Sequence, residues 1–218
     1  MHKYVRTFSI VPSVLAGCLI GVSPAALAVN QGDWLVRVGA AHVSPNDSSG
    51  GLTADPSIKV GVDSSTGLGL NLTYMVSPNM GIEVLGALPF KHDINGAGSL
   101  ASAGKIAETK QLPPTVVALY NFAPKANIRP YAGVGINYTT FFSEKTTGAL
   151  AGVSLKLDDS WGLAGEVGVD VDINKNWFFN ASVWYMDINT TAKLGSGLGS
   201  VDVQIDPWAF FVGVGTRF

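Results

Sequence analysis

The chain has 218 residues, of which 47% are hydrophobic and only 14% are charged, with 14 basic against 16 acidic side chains. Soluble domains usually carry about 25% charged residues, so this composition is unusually apolar. The slight acidic excess argues against a nucleic-acid partner, which would favour a clustered basic face. The length suits one domain.

The N-terminal segment has the parts of a secretory signal peptide. They are a positive region at Lys3 and Arg6, an apolar run from Phe8 to Val22, and a small-x-small cleavage site at Ala26–Ala28. The apolar run is too short and wrongly flanked for a spanning helix. We assign residues 1–28 to a signal peptide and residues 29–218 to the mature domain. Removing Lys3 and Arg6 from the 14 basic residues leaves 12 against 16 acidic ones.

A second processing signal overlaps the first. Leu15–Cys18 has the pattern of a bacterial lipoprotein box, in which the cysteine becomes the lipidated first residue. Against lipidation, the apolar run continues past Cys18 and a cleavage site follows it. If the signal peptide is removed, the mature chain has no cysteine, which excludes disulfides, thiol catalysis and cysteine-bound metals.

The mature chain has no run of 18 apolar residues that would make a membrane helix. An exported, apolar chain without such a helix must place its apolar surface in lipid as a closed sheet. The last stretch, Asp206–Phe218, alternates large and small residues and ends on an aromatic, which is typical of outer-membrane barrels. We therefore predict an all-β fold, an eight-stranded antiparallel transmembrane β-barrel of the bacterial outer membrane.

Eight strand-like segments follow one another along the chain. They are predicted at Asp33–Val43, Ile58–Met75, Met80–His92, Lys105–Phe122, Arg129–Phe142, Asp159–Asp172, Trp177–Lys193 and Val201–Phe218. The long connections are Ser44–Ser57, Asp93–Gly104, Ser143–Asp158 and Leu194–Ser200, and the short ones are Val76–Asn79, Ala123–Ile128 and Ile173–Asn176. Four long loops and three short turns indicate loops outside the cell and turns in the periplasm.

Alternation along the strands predicts which side chains face the lumen. Glu83 faces inward because a carboxylate in lipid is costly, and Leu85 shares its parity. The same reasoning gives a polar lumen network of Arg37, Glu83, Glu166 and Asp170, low in the barrel. It also gives large apolar lumen residues, namely Leu85, Phe141, Trp184 and Met186. A water-filled porin would have a consistently polar lining, and eight strands leave too little room for one.

The fourth strand contains Pro113 and Pro114, which cannot donate ladder hydrogen bonds. Pro89 lies in the strand expected beside it. These three prolines are candidates for a lateral opening in the barrel wall near the outer leaflet. A plain β-bulge is the alternative explanation of the proline pair.

Several segments in order resemble the outer membrane protein W (OmpW) family over essentially the whole mature length. They are Leu112–Thr115, Arg129–Phe142, Asp159–Gly162, Trp184–Thr191 and Asp206–Trp208. The resemblance implies an eight-stranded barrel whose narrow apolar lumen helps small hydrophobic molecules cross the outer membrane, with release sideways into the bilayer. It also implies the height of Leu85 and Trp184 as constriction residues. Small barrels also fill their interior simply to pack it, so these residues are alternatively structural plugs.

Aromatic residues are expected to form a girdle near the periplasmic interface. The candidates are Trp34, Tyr74, Tyr120, Trp177, Trp208 and Phe218. Phe218 also resembles the terminal aromatic that the barrel-assembly machinery recognises. The expected partners are therefore small hydrophobic solutes, outer-membrane lipids and lipopolysaccharide, and that machinery, with no nucleic acid and no cofactor.

Two other functional classes are alternatives to a channel. A lipid-modifying enzyme would need a nucleophile held by a histidine, but His42 and His92 are the only histidines after residue 28 and neither stands in a nucleophile motif. Two histidines without a ligand spacing do not define a metal site either. A structural or receptor barrel for phage, bacteriocin or adhesion is the stronger alternative, although its Gly- and Ser-rich loops would make a sparse adhesive surface.

Overall fold

The computed structural model describes residues 28–218, so residues 1–27 of the predicted signal peptide, with Cys18, lie outside the described part of the chain. The strands are β1 (Trp34–Ser44), β2 (Ser48–Ser49), β3 (Ile58–Val62), β4 (Ser65–Met75), β5 (Met80–Ala87), β6 (Phe90–Gly98), β7 (Lys105–Leu112), β8 (Thr115–Asn121), β9 (Ile128–Thr146), β10 (Leu155–Leu157), β11 (Ser160–Asp172), β12 (Trp177–Met186), β13 (Asn189–Leu194), β14 (Gly199–Gln204) and β15 (Trp208–Arg217). Single turns of 3₁₀-helix occur at Ala101–Ala103 and Gly148–Leu150. No helix in this part of the chain is long and apolar enough to cross a membrane.

Eight strands close into an antiparallel barrel, which confirms the predicted fold. Their order is β11-β12-β15-β1-β4-β5-β8-β9, and β9 pairs again with β11. Closure leaves no free edge in this eight-stranded sheet, so its backbone donors and acceptors are paired within the wall, apart from a gap between residues 86–89 and 112–114. An eight-stranded barrel is narrow, and side chains fill its interior.

The outer face of this barrel is an apolar belt. The side chains of Val134, Leu163 and Val212 are 72%, 71% and 65% exposed, although valine and leucine usually belong inside a soluble protein. They alternate along their strands with buried residues, since successive side chains point to opposite faces. Such a continuous apolar outer surface is suited to lipid.

The barrel extends beyond this belt on the side of the long connections. Here the predicted second, third, seventh and eighth strands are each interrupted, and all four of the predicted long loops contain strand residues. Asp93–Gly98 continues β6, and β9 runs on to Thr146. The extension consists of two sheets, β3-β6-β7 with upper β9, and β10-β13-β14-β2. The chain remains extended there because apolar residues such as Val60 and Ile94 pack between the sheets.

Aromatic side chains mark both ends of the belt. At the end with the short turns, the rings of Trp34 and Tyr74 lie 4.9 Å apart, and Trp34 N–H donates to the carbonyl of Phe218. The prediction of Trp208 at this end is wrong. Trp208 pairs with Ser44, at the other end of β1, and its ring lies 5.2 Å from that of Tyr185. The last strand runs toward the periplasm, so its first residue lies at the outer interface.

Candidate functional site

A small apolar cavity lies in the upper half of the membrane-spanning barrel. Leu85, Trp184 and Met186 line it together with Phe90 and Phe211, and its free volume is about 20 Å³. We call it the lower cavity, because a second apolar cavity lies above it, between the extracellular sheets. A single water molecule needs about 10–15 Å³ of such volume, so the space between these side chains accommodates a group of about that size.

The Trp184 side chain presents an apolar surface to the lower cavity. It is only 1% exposed, and its Nε1–H donates to the hydroxyl of Ser182 at 3.1 Å. The polar atom of the indole therefore has a partner, and the rest of the ring packs against other apolar side chains. Leu85, on the other side of the lumen, is buried in the same cluster.

A charged network fills the lumen below this cavity, and Arg37 is its centre. The Arg37 guanidinium donates from Nε and Nη2 to both carboxylate oxygens of Asp170, at 3.0 and 2.8 Å. Its Nη1 donates to Glu83 at 2.8 Å and to the hydroxyl of Thr73 at 2.7 Å. All of these side chains are buried. A forked guanidinium is well suited to joining two carboxylates in this way.

Glu166 belongs to the same network through Tyr131. Tyr131 O–H donates to Glu166 at 3.1 Å, and the Asn180 amide donates to Tyr131 and to Asp170, both at 2.8 Å. The four network residues predicted from the sequence thus lie in one connected cluster.

A second group of charges, which was not predicted from the sequence, lies at the periplasmic end. Arg129 Nη1 lies 2.6 Å from Asp172 Oδ1, and Arg217 Nη2 lies 3.3 Å from Asp172 Oδ2. The ring of Phe178 lies between the guanidinium groups of Arg37 and Arg129, 5.5 Å from each. Parity offered a signal for Arg129, because it stands two residues before the inward Tyr131.

A second apolar space, the upper cavity, lies between the two extracellular sheets and has a free volume of about 40 Å³. Phe141, a predicted lumen residue, lines this upper cavity rather than the lower one. Gln111 lines both cavities and therefore stands where they meet. The buried apolar side chains form one continuous cluster from Leu52 in the extension to Trp184 in the barrel.

Several titrating groups in the extension have shifted pKa values, among them His92 and Glu108. Burial lowers the pKa of His92 below its usual value near 6.5, against smaller opposing effects of the Asp63 carbonyl and of the Asp63 and Asp93 charges. On the outer surface, hydrogen bonds from Lys105 and Lys91 lower the pKa of Glu108 to about 2. His92 is therefore neutral at pH 7, whereas Glu108 is a carboxylate.

The wall between β5 and β8 has a gap in its ladder. Leu85 pairs with Thr115, and the next pair along these neighbouring segments is Phe90 with Gln111. Between them, residues 86–89 and 112–114 make no backbone pairs with each other. Each side of the gap stays hydrogen-bonded to the strand on its far side. The backbone N–H of Leu88 donates to the carbonyl of Leu68 in β4, and the backbone N–H of Tyr138 in β9 donates to the carbonyl of Pro114. Pro89, Pro113 and Pro114 all lie at this gap.

Side chains from inside the barrel satisfy the carbonyl that the gap leaves free. The Pro113 carbonyl accepts from the Thr115 hydroxyl at 3.0 Å and from the Asn137 amide at 3.3 Å. Pro113 and Ala87, on opposite sides of the gap, both line the lower cavity. The apolar lumen therefore reaches the gap.

Neither of the two histidines in the described part of the chain, His42 and His92, is arranged like a catalytic base. His42 Nδ1 lies 2.8 Å from the Thr66 hydroxyl on the outer surface, and His92 Nδ1 lies 2.7 Å from the Asp63 carbonyl. No group of three or more acidic or histidine side chains within residues 28–218 is placed to hold a metal ion.

Comparison with known proteins identifies the family. The model of the OmpW family matches residues 30–218, which include all fifteen strands. The chain belongs to the OmpW family. Relatives that are 43–50% identical to it are named outer membrane protein W, and the closed barrel with its apolar belt lies in the bacterial outer membrane.

Three similar proteins illustrate the relationship. Outer membrane protein W of Vibrio cholerae is 50% identical over 203 residues, covering 90% of this chain and 93% of the relative. The crystal structure of OprG from Pseudomonas aeruginosa is 41% identical, with a TM-score of 0.83, covering 88% of this chain and 98% of that one. The dibenzothiophene metabolism operon protein DoxH of Pseudomonas sp. is 25% identical, covering 86% and 90%.

Proposed function

We propose that this OmpW-family barrel lets small hydrophobic molecules cross the outer membrane passively, entering the upper cavity from outside and leaving sideways through the gap between β5 and β8. The observation that carries the proposal is that the apolar lumen ends at the gap residues Ala87 and Pro113. The solute moves down its own gradient.

Apolar side chains make up most of the lining in the upper part of the path. Side chains such as Val60, Leu155 and Val203 line the upper cavity, and the cluster continues to Leu85 and Trp184. An apolar solute that leaves water for this environment gains the free energy of burying its surface, about 25 cal/mol per Å². Leu85, Trp184 and Met186 act as the constriction, and Phe141 belongs to the entrance.

The charged network closes the lower end of the path to such a solute. Arg37, Glu83 and Asp170 are paired with one another and buried. Inserting an apolar molecule between them would separate ion pairs in a region without water, which is strongly unfavourable. Movement straight down into the periplasm is therefore blocked, and the solute turns toward the wall.

The gap is the place in the wall where separation breaks the fewest hydrogen bonds. Residues 86–89 and 112–114 have no ladder bonds to break, and the Pro113 carbonyl keeps its partners Thr115 and Asn137 on the inside. Pro89 and Pro114 are exposed on the lipid side. The relative DoxH supports the solute class, because dibenzothiophene, after which its operon is named, is an apolar aromatic compound.

A packed structural or receptor barrel is the second candidate, and the small free volume of the lower cavity favours it. Transport requires Trp184 or Met186 to change rotamer as a solute passes, whereas a packed barrel needs no movement. Catalysis receives no support from the surroundings of His42 and His92. We retain contacts with lipopolysaccharide and recognition of Phe218 by the assembly machinery as predictions.

Cross-linking the gap tests the proposal. The variant Ala87→Cys/Pro113→Cys is reconstituted without the signal peptide, so it has no other cysteine, and a short, reducible dithiol-reactive reagent joins the two sides. Uptake of naphthalene into liposomes is then measured. We expect faster uptake than in protein-free liposomes, a fall to the protein-free rate after cross-linking, and recovery after reduction.

The control places the same cross-link within an intact part of the wall, in Ile82→Cys/Ala118→Cys, since Ile82 and Ala118 face each other in the ladder. This variant should transport at the uncross-linked rate. Full transport through the cross-linked gap would exclude lateral exit. Uptake no faster than in protein-free liposomes for all proteins would exclude transport and leave the packed barrel.

A further inference from the structure

Two buried polar side chains interrupt the apolar lining of the upper cavity. His92 and Gln111 are 1% and 2% exposed, and both line that cavity. His92 faces Thr109 and Phe90 faces Gln111, so His92 and Gln111 are diagonal neighbours on the inner face. Diagonal neighbours lie about 7–8 Å apart, within reach of long side chains. Both can therefore contact the same small group.

The two side chains offer complementary hydrogen-bonding atoms. His92 Nδ1 lies 2.7 Å from the Asp63 carbonyl, and because a carbonyl only accepts, Nδ1 carries the hydrogen. The neutral ring then presents Nε2 as an acceptor. This Nε2 and the amide nitrogen of Gln111 are both buried without a hydrogen-bond partner in the described part of the chain. Unpaired buried groups of this kind are rare and need an explanation.

An acceptor beside an amide donor matches a hydroxyl group, which gives one hydrogen bond and takes another. We propose that His92 and Gln111 form a hydroxyl-binding subsite, so that the passage takes alcohols and phenols in preference to hydrocarbons of the same size. Other polar groups nearby are already engaged. Thr190, on the facing sheet, donates its hydroxyl to the Asp158 carbonyl at 2.6 Å.

The position of Gln111 determines how a solute bound at this subsite is oriented. Gln111 lines the lower cavity as well, where the remaining lining residues are apolar or aromatic. A solute whose hydroxyl is held between His92 and Gln111 can extend its apolar part toward Leu85 and Trp184. The role in selection rests on the proposed function, whereas binding to the subsite does not.

Binding is tested directly on the wild-type protein in lipid nanodiscs, with His92 observed by ¹⁵N NMR of its imidazole. We expect 1-hexanol to shift the Nε2 resonance, since a hydroxyl donates to that atom, and hexane to leave it unmoved. An Nε2 resonance unaffected by saturating 1-hexanol would overturn the subsite. Equal shifts with both compounds would also overturn it, because they would report cavity filling without hydrogen bonding.

Selection is tested by uptake of the same two compounds into liposomes. Gln111→Met keeps the size of the side chain and removes the amide, and Thr190→Val is the matched control because its hydroxyl already has a partner. We expect Gln111→Met to lower the ratio of hexanol to hexane uptake about 3- to 10-fold, the worth of one hydrogen bond, and Thr190→Val to leave it unchanged.

The outcomes separate the two proposals. If both compounds pass faster than in protein-free liposomes but Gln111→Met keeps the wild-type ratio, the subsite is wrong and the passage stands. If neither compound passes faster, the passage is wrong, and the Nε2 resonance of His92 alone decides the subsite. An equal loss of the ratio in Thr190→Val would show a general effect of cavity polarity and would overturn the assignment to Gln111.

Discussion

Arg37 joins the side chains of the charged network below the lower cavity. It bonds two carboxylates from different strands, Glu83 and Asp170, and its guanidinium also lies 5.1 Å from the centre of the Tyr131 ring. A buried ion pair adds little stability compared with an apolar replacement of both partners, but removing one partner leaves the other charge buried and unpaired. The network is therefore sensitive to single substitutions.

We expect Arg37→Met to lower the free energy of unfolding by about 3–5 kcal/mol, because Glu83 and Asp170 lose their common partner. Urea unfolding of the protein in lipid vesicles measures this change. The control is Lys193→Met, which breaks an exposed pair with Asp158 and should cost less than about 1 kcal/mol. Equal costs for the two variants would contradict the role assigned to Arg37.

At the scale of the strands, a glycine on one strand makes room inside the barrel for a large side chain on the strand paired with it. Gly168 of β11 is the direct neighbour of Tyr131 in β9. A Cβ atom at Gly168 would meet the Tyr131 ring and Ser182. The missing side chain makes room for the ring whose hydroxyl donates to Glu166.

Gly168→Val should destabilise the barrel by about 1–3 kcal/mol, since overpacking forces Tyr131 away from its place in the network. Gly165→Val, three residues along β11 and on the outer face, is the matched control, because the nearest atom to an added Cβ there is 4.0 Å away. Urea unfolding in vesicles should separate the two variants. A neutral Gly168→Val would show that the ring can relocate without loss.

The strand boundaries show which features of the strands can be predicted from the local sequence. The interruption at Pro113–Pro114 is predictable because proline lacks the donor that a ladder needs. The strand over Asp93–Gly98 is not, since Asp, Asn and Gly make up four of its six residues and favour turns. Pairing of β6 with both β3 and β7 outweighs that preference.

For the whole molecule, the aromatic pairs at each end define the thickness of the belt. Trp34 with Tyr74 lies at the periplasmic end, and Tyr138 with Trp161 and Tyr185 with Trp208 lie at the outer end. Aromatic side chains favour the boundary between lipid and water. The two cavities, the gap and the extracellular sheets are positioned relative to the bilayer by these pairs.

Val134 lies midway between Ile128 and Tyr138 on the outer face of β9, and 72% of its side chain is exposed. We expect Val134→Arg to destabilise the protein in vesicles by about 2–4 kcal/mol, since the charge enters the middle of the bilayer. Gln204→Arg, on an exposed position of the extracellular β14, should have little effect in the same unfolding measurement. A harmless Val134→Arg would place the belt elsewhere on the barrel.

The sequence by itself determined the fold class and the face on which side chains such as Glu83 and Trp184 lie. Both follow from local physics: an exported, apolar chain without a spanning helix must close a sheet, and a period of two separates inside from outside. The family followed from its motifs. Even the inward position of a carboxylate such as Glu83 needed no more than the cost of placing it in lipid.

Only the tertiary structure decided which inward residues meet and at what height. Alternation defines a face but says nothing of register between strands, so it could not bring Arg37 to Asp170, 133 residues away, or place Trp208 at the outer interface. The gap likewise depends on the pairing of two strands at once. The unpaired atoms of His92 and Gln111 emerge only when both extracellular sheets are assembled around one cavity.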